Sequence, residues 1–215
     1  MNIVENYQQI KQDLPQEVEL ITVSKTQSNE SIQTLYDAGN LVFGENRVQE
    51  LIEKQAVLPQ DIQWHLIGHL QRNKVKYIAE FVHLIHSVES ESLLKEINKQ
   101  AKRFERTIPC LLQIRIATEE TKFGLEAADA LVLLTTYASK YSNVEIVGLM
   151  GMATFTSDEN QVRNEFKALK RIFDDFQKLD ERIQVLSMGM SGDYAIAIEE
   201  GSNMVRVGSA IFGQR

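Results

Sequence analysis

The chain has 215 residues, of which 43% are hydrophobic, and its formal net charge is −7. A protein whose main partner is nucleic acid needs a concentrated basic surface, so this acidic balance argues against DNA or RNA as the ligand. The polar first residues lack a secretory signal, and no apolar stretch approaches the about 20 residues that a membrane span needs. We therefore expect a cytoplasmic protein that binds neither nucleic acid nor membranes.

Eight short apolar or β-branched runs are predicted strands, and helix-like patterns separate them. The strands fall at residues 19–24, 41–43, 63–66, 83–88, 108–114, 145–150, 183–187 and 203–207. The helices fall at residues 28–38, 45–56, 71–80, 90–103, 125–139, 158–179 and 191–200, after an extra leading helix near 2–13. This alternation predicts an α/β fold, a single (β/α)8 barrel of the TIM type with an extra N-terminal helix, forming one domain over residues 1–215.

The single cysteine, Cys110, lies in an apolar run within the fifth predicted strand. One cysteine forms no internal disulfide, and this position favours a buried, inert thiol. The four histidines, His65, His69, His83 and His86, match no zinc-binding spacing. We therefore predict no metal site, and we interpret His65 as a polar barrel residue that lines a ligand cavity.

Polar residues follow the first two predicted strands, at the end of the barrel where this class of fold places its active sites. Lys25 shares strand parity with Ile21 and Val23, so its amine reaches the barrel mouth if those two side chains point inward. An amine in that position can condense with an aldehyde, whereas the alternative is an ordinary surface lysine at a strand end. Asn46, after the second strand, is a neutral hydrogen-bonding group that suits a phenolic oxygen.

The last two predicted strands end in segments that suit a phosphate group. Ser191 is a predicted helix N-cap, and Gly192 allows close approach of the backbone to a ligand. Gly208 and Ser209 supply a second set of backbone donors, as barrels often do in these two loops. An ordinary pair of turns is the alternative interpretation. Arg206 shares the parity of Gly208, so we expect it to face inward, toward a ligand nitrogen or toward a carboxylate of the barrel wall.

Seven motifs, in the same order along almost the whole chain, resemble the pyridoxal 5′-phosphate (PLP) homeostasis protein family, the single-domain relatives of the N-terminal barrel of alanine racemase. The motifs lie at residues 22–25, 43–50, 65–74, 86–90, 148–150, 186–191 and 205–213. One segment departs from the family pattern, because it keeps Lys122 and Gly124 but has Arg115 where the family usually has asparagine. We therefore assign no ligand role to the end of the fifth strand.

The resemblance implies that PLP is the cofactor and that Lys25 holds it as an internal aldimine. It also implies that Arg206 faces the pyridine nitrogen of the cofactor. The residues that it assigns to the phosphate are Ser191, Gly192, Gly208 and Ser209. Those that it assigns to the ring pocket are Asn46, His65, Met150 and Ser187.

The resemblance favours a protein that carries PLP and maintains its intracellular level, with indirect effects on amino-acid and keto-acid pools, over an efficient enzyme. An arginine only donates hydrogen bonds, so it leaves the ring nitrogen unprotonated and the ring a poor electron sink. The expected partners are PLP, other B6 vitamers and PLP-dependent apoenzymes. We expect a monomer.

Two other functions are kept as alternatives. A weak PLP-dependent amino-acid racemase needs a second base, which alanine racemase takes from a C-terminal domain. We expect no such domain here, because the sequence ends at Arg215 directly after the barrel. The other alternative is a barrel without PLP, in which Lys25 serves an aldolase or anchors a phosphosugar site.

Overall fold

A computed structural model describes residues 2–117 and 123–213 and contains a closed barrel of eight parallel strands. The order of the strands around the barrel follows the chain, and the last strand pairs with the first to close the ring. The strands are β1 (Glu19–Val23), β2 (Val42–Glu45), β3 (Gln63–Leu66), β4 (Leu84–Val88), β5 (Ile108–Gln113), β6 (Val144–Met150), β7 (Val185–Met190) and β8 (Met204–Val207). The predicted (β/α)8 class is confirmed.

Helices lie between the strands on the outside of the barrel, and a leading helix precedes β1 as predicted. They are α1 (Ile3–Asp13), α2 (Asn29–Asp37), α3 (Val48–Gln55), α4 (Glu91–Arg103), α5 (Ala127–Tyr137), α6 (Glu159–Leu179), α7 (Tyr194–Glu199) and α8 (Ser209–Phe212). None of the helices in the described ranges combines the length and apolar character that crossing a bilayer requires.

One predicted helix has a different type in the structure, and one short helix was not predicted. The helix predicted at residues 71–80 is a 3₁₀ helix, Arg72–Tyr77, between β3 and β4. Val75 is the buried residue of that segment, and the buried Ile78 and Ala79 follow it in turns rather than in a continued helix. The helix α8 has four residues, and such a short segment shows no periodicity in the sequence.

Strand parity divides the apolar side chains into two groups, because alternate residues of each strand face the helices or the barrel interior. The outward side chains join those of the helices in one large core, in which Cys110 is fully buried as predicted. Burial raises the pKa of the Cys110 thiol, which agrees with an inert cysteine. A smaller cluster fills part of the barrel interior and consists of Ile21, Leu84, Leu111, Met150 and Met204.

One glycine permits a close approach between two neighbouring strands. Gly148 of β6 pairs with Val185 of β7, and a Cβ added at Gly148 would overlap the carbonyl oxygen of Val185. We therefore expect Gly148→Ala to lower the free energy of unfolding by about 3 kcal/mol or more, because the strands would have to separate. Urea denaturation measures this change. Gly192→Ala is the matched control, since its added Cβ would have no neighbour within 4 Å. Equal stability of the two variants would contradict the close approach.

Candidate functional site

Three adjacent strands bring predicted site residues to one mouth of the barrel. Val23 of β1 pairs with Gly44 of β2, so Lys25 and Asn46 each lie two residues beyond this paired level. Lys25 is exposed in the turn after β1, and Asn46 is partly buried. On the other side of β1, a Cβ added at Gly208 would lie 3.0 Å from the carbonyl oxygen of Val23. Glycine at this position therefore lets the start of α8 lie close to the strand that leads to Lys25.

Backbone donors at the start of α8 converge on the hydroxyl group of Ser191. The N–H groups of Gly208 and Ala210 donate to Ser191 Oγ, with N–O distances of 3.1 and 3.4 Å. Ser209 lies between these two donors and is exposed. Converging N–H groups and a hydroxyl group are the donors that phosphate oxygens accept from in proteins. The mouth of the barrel therefore has a set of donors that fits an anion.

The capping role predicted for Ser191 is wrong. The N-cap of α7 is Asp193, whose side chain accepts from the N–H of Met190 at 2.5 Å. The Ser191 hydroxyl is directed across to β8 and α8 instead, where it accepts the two bonds described above. The sequence does not indicate that the N–H of Ala210 is a donor, because every residue type except proline supplies the same backbone N–H. Gly192 is exposed beside Ser191, and nothing lies within 4 Å of its added Cβ.

Arg206 lies in the barrel interior, as its parity predicts, and is 4% exposed. Its Nη1 donates to Ser187 Oγ at 2.6 Å, and its Nη2 donates to the carbonyl oxygen of Gly151 at 3.0 Å. Burial lowers the pKa of Arg206 to about 10, although the nearby Asp193 carboxylate opposes this shift. The guanidinium is therefore charged at neutral pH. Its hydrogen-bond partners among the described residues are neutral groups rather than the carboxylate of the alternative interpretation.

Arg206 is the first member of a row of buried hydrogen bonds, which we call the inner row: Arg206, Ser187, His86 and His65. Ser187 Oγ lies 3.1 Å from His86 Nδ1, and His86 Nε2 lies 3.0 Å from His65 Nδ1. Because arginine only donates, Ser187 accepts from it and can give its own proton to His86 Nδ1. His86 then donates to His65 Nδ1, and the remaining proton of His65 is on Nε2. This buried Nε2 has no hydrogen-bond partner among the described residues.

Burial keeps both histidines of the inner row neutral. Burial, together with the neighbouring His83, lowers the pKa of His65 to about 3. It also lowers the pKa of His86 well below the ordinary value, and His65 and Arg206 add to that effect. Arg206 is therefore the charged member of the row at neutral pH. The neutral histidines orient its guanidinium through Ser187 and add no second positive charge beside it.

Two further residues considered from the sequence are Met150 and His69, and Met150 of β6 pairs with Ser187 of the inner row. Met150 is fully buried in the interior apolar cluster. His69 Nδ1 lies 3.0 Å from Glu89 Oε1, and its ring stacks on Phe123 with 4.4 Å between ring centres. In residues 2–117 and 123–213, no three His, Cys, Asp or Glu side chains are grouped to hold a metal ion.

The segment that departs from the family pattern has a surface contact. Arg115 is exposed and forms an ion pair with Glu126, which precedes α5. Lys122 lies outside the described residues. The structure thus gives Arg115 a partner on the surface of the barrel.

Sequence reasoning missed His86 as a site residue. The available signal was strand parity, because His86 lies two residues after Leu84, an interior residue of the same strand. A polar residue that shares an inward face with an apolar one needs a hydrogen-bonding partner inside the barrel. His65 and Ser187 are those partners.

The neutral state of His65 gives folding a pH dependence. The pKa is 6.5 in the unfolded chain and about 3 in the folded protein, so the unfolded chain binds more protons between these values. Stability therefore falls as the pH falls, and we expect His65 to account for a loss of about 2 kcal/mol between pH 7 and pH 5. His65→Gln should remove that loss in urea denaturation at the two pH values. His69→Gln, outside the inner row, is the control; an unchanged pH dependence in His65→Gln would contradict a neutral His65.

Comparisons with known proteins identify the family to which the chain belongs. The family model described as alanine racemase, N-terminal domain, matches residues 1–215. A pyridoxal phosphate homeostasis protein of Aquifex aeolicus is 40% identical over 198 residues, which cover 91% of this chain and 86% of that protein. PipY of Synechococcus elongatus, solved without and with PLP, superimposes with TM-scores of 0.93 and 0.90 at 36% and 35% identity. Each match covers 99% of this chain and 100% of PipY. The chain therefore belongs to the alanine racemase N-terminal domain family and, within it, to the pyridoxal phosphate homeostasis proteins.

Proposed function

We propose that this chain binds PLP covalently through Lys25 and maintains the intracellular supply of PLP, as a carrier rather than as an efficient enzyme. The observation that carries the proposal is the position of Lys25 in the turn directly after β1, where Val23 of that strand lies beside Gly208, whose N–H donates to Ser191. The similar PipY has been solved with PLP bound, which supports the same ligand here. Residues 1–215 would act as one PLP-binding unit.

The donors at the end of β7 and the start of α8 would hold the phosphate. The N–H groups of Gly208 and Ala210 both donate to the hydroxyl oxygen of Ser191, so the three groups lie close together. A phosphate oxygen accepts from both kinds of donor. Gly192 and Ser209 are the adjacent exposed residues, and we assign them to the same phosphate.

Arg206 would donate to the pyridine nitrogen, and Asn46, His65, Met150 and Ser187 would surround the ring. PLP supplies an aldehyde for a covalent bond to an amine and a ring that accepts electrons when its nitrogen is protonated. Arg206 carries no proton that it would give up at neutral pH, so it keeps the ring nitrogen as an acceptor. The barrel interior therefore suits a protein that holds the aldehyde without activating substrates.

The Lys25 assignment is tested by adding PLP to the purified protein. We expect a new visible absorbance, and after borohydride reduction we expect the label on the peptide that contains Lys25. Lys25→Ala should lose the reduced adduct while it keeps weaker, phosphate-dependent binding, because the donors around Ser191 remain. Lys99→Ala changes an exposed lysine of α4 and should label as the wild type does. A reduced adduct at another lysine in Lys25→Ala would contradict the assignment.

The phosphate assignment is tested by comparing PLP with pyridoxal, which has the aldehyde but no phosphate. Ser191→Ala should weaken PLP binding about 10- to 100-fold, since a hydrogen bond to a charged group contributes about 1.5–3 kcal/mol. Its effect on pyridoxal should be much smaller. Equal weakening of both ligands in an absorbance titration would show that Ser191 does not contact the phosphate.

We also propose the location, oligomeric state, further ligands and partners of the carrier. The protein would be a cytoplasmic monomer, would bind other B6 vitamers, and would deliver PLP to PLP-dependent apoenzymes. The competing function is weak amino-acid racemisation. Turnover of alanine by the PLP-loaded protein at a robust rate would favour the racemase over the carrier.

A further inference from the structure

A buried ion cluster lies beneath the turn that carries Lys25. Lys54 of α3 is 5% exposed at its side chain, and its Nζ donates to three oxygens. They are the Ser24 carbonyl oxygen at 2.7 Å, Glu45 Oε1 at 2.8 Å and Glu50 Oε1 at 2.6 Å. An ammonium group has three protons, so these bonds use all of them. We call Ser24, Glu45, Glu50 and Lys54 the Lys54 cluster.

The Lys54 cluster holds the backbone on both sides of Lys25. Before Lys25, the Ser24 carbonyl accepts from Lys54, and the Ser24 hydroxyl donates to Glu45 Oε1 at 2.6 Å. After Lys25, the N–H of Thr26 donates to Glu50 Oε1. The two peptide groups that flank Lys25 are therefore tied to one set of charges.

The turn needs such a restraint because its backbone is strained. The N–H of Gln27 donates to the Ser24 carbonyl at 3.0 Å, so residues 24–27 form a tight turn with Lys25 and Thr26 at its centre. Thr26 has a φ of 60°, in the left-handed region that β-branched residues avoid. A strained residue of this kind persists only where its surroundings hold it in place. The bond from Thr26 to Glu50 is such a contact.

Strand parity places the Lys54 cluster outside the ligand site. Ser24 shares the parity of Leu20, and Glu45 that of Phe43, and both apolar side chains belong to the outer core. Lys25 has the opposite parity and extends from the mouth of the barrel. The cluster therefore holds the turn from the helix side.

A contribution to folding stability is not enough to explain a buried ion cluster between the strands and the helices. Replacing buried charges by apolar side chains of similar volume is often neutral or stabilising, because charges lose hydration when they are buried. Burial in fact raises the pKa of Glu45, and the contacts with Lys54 and Ser24 oppose that shift. The charges restrain particular groups of the turn instead, since Lys54 bonds the Ser24 carbonyl, Glu50 bonds the Thr26 N–H, and Glu45 bonds the Ser24 hydroxyl.

We propose that Glu50 and Lys54 are positioning residues that hold the Lys25 turn so that the Lys25 amine meets the aldehyde of the ligand. This inference rests on the proposed function, in which Lys25 bonds to PLP. In that condensation a neutral amine and an aldehyde form one C=N bond, and the carbonyl oxygen leaves as water with the two amine protons. The rate depends on the direction of approach of the amine, which the turn sets.

Glu50→Ala is the first test, read out as the rate of PLP adduct formation at Lys25. We expect this rate to fall about 10- to 100-fold, because Thr26 loses the acceptor that holds its strained conformation. Binding of pyridoxine 5′-phosphate, which has an alcohol in place of the aldehyde, should change less than about threefold, since it needs no amine. Glu53→Ala is the matched control on the same helix; Glu53 is exposed and accepts from Gln49.

A second substitution separates positioning from general disruption of the site. Glycine adopts a positive φ without strain, so Thr26→Gly in the Glu50→Ala background should restore most of the adduct rate. Glu50→Gln keeps an acceptor oxygen and should also retain most of the rate. If Glu50→Ala does not fold, Glu50→Asp, whose shorter side chain withdraws the acceptor, should show the same selective loss.

The outcomes distinguish this inference from the proposed function. If the wild type forms no adduct at Lys25, the proposed function fails and the positioning role fails with it. If the wild type forms the adduct and Glu50→Ala reacts at the same rate, the positioning role alone is overturned. Equal weakening of pyridoxine 5′-phosphate and PLP, with no rescue by Thr26→Gly, would also overturn it, because a general loss of structure predicts that result.

Discussion

The alternation of side chains along eight parallel strands is the constraint on which the rest of this structure depends. In a closed barrel, every strand residue faces either the interior or the helices, and the residues that follow the strands meet at one mouth. This places Arg206 inside the barrel and the side chain of Ser24 outside it. Lys25 follows β1 with inward parity. Its turn therefore lies between the backbone donors around Ser191 at the barrel mouth and the Lys54 cluster on the helix side.

Two polar networks lie on opposite sides of the strands, the inner row inside the barrel and the Lys54 cluster on the helix side, and they have different electrostatic roles. The inner row contains one charge, on Arg206, because burial keeps His65 and His86 neutral. The Lys54 cluster pairs one ammonium group with two carboxylates, and Lys54 and Glu50 hold backbone groups of the turn. The first network would set the protonation of the ligand ring, and the second would set the direction of the reactive amine.

The sequence was sufficient for the barrel, because eight apolar runs alternate with amphipathic segments, and parity gave the inward direction of Arg206. Contacts between distant segments were not predictable in the same way. Nothing in the sequence shows that the Ser191 hydroxyl turns toward the N–H of Gly208 rather than toward its own helix. The Lys54 cluster was missed, although Lys54 follows Leu51 at the spacing of the buried stripe of α3. A lysine at a position where the pattern has apolar residues indicates a buried lysine with hydrogen-bond partners. Its partner on β2, Glu45, can be identified only from the folded structure.

The central electrostatic property proposed for the inner row is that Arg206 would keep the ring nitrogen of bound PLP unprotonated. Nitrogen NMR of the protein loaded with PLP that is isotopically labelled in the ring measures this protonation directly. We predict the chemical shift of an unprotonated pyridine nitrogen throughout the neutral pH range, and a change of that shift in a variant that removes the guanidinium, Arg206→Gln. A protonated ring nitrogen in the wild type at neutral pH would contradict the role of Arg206.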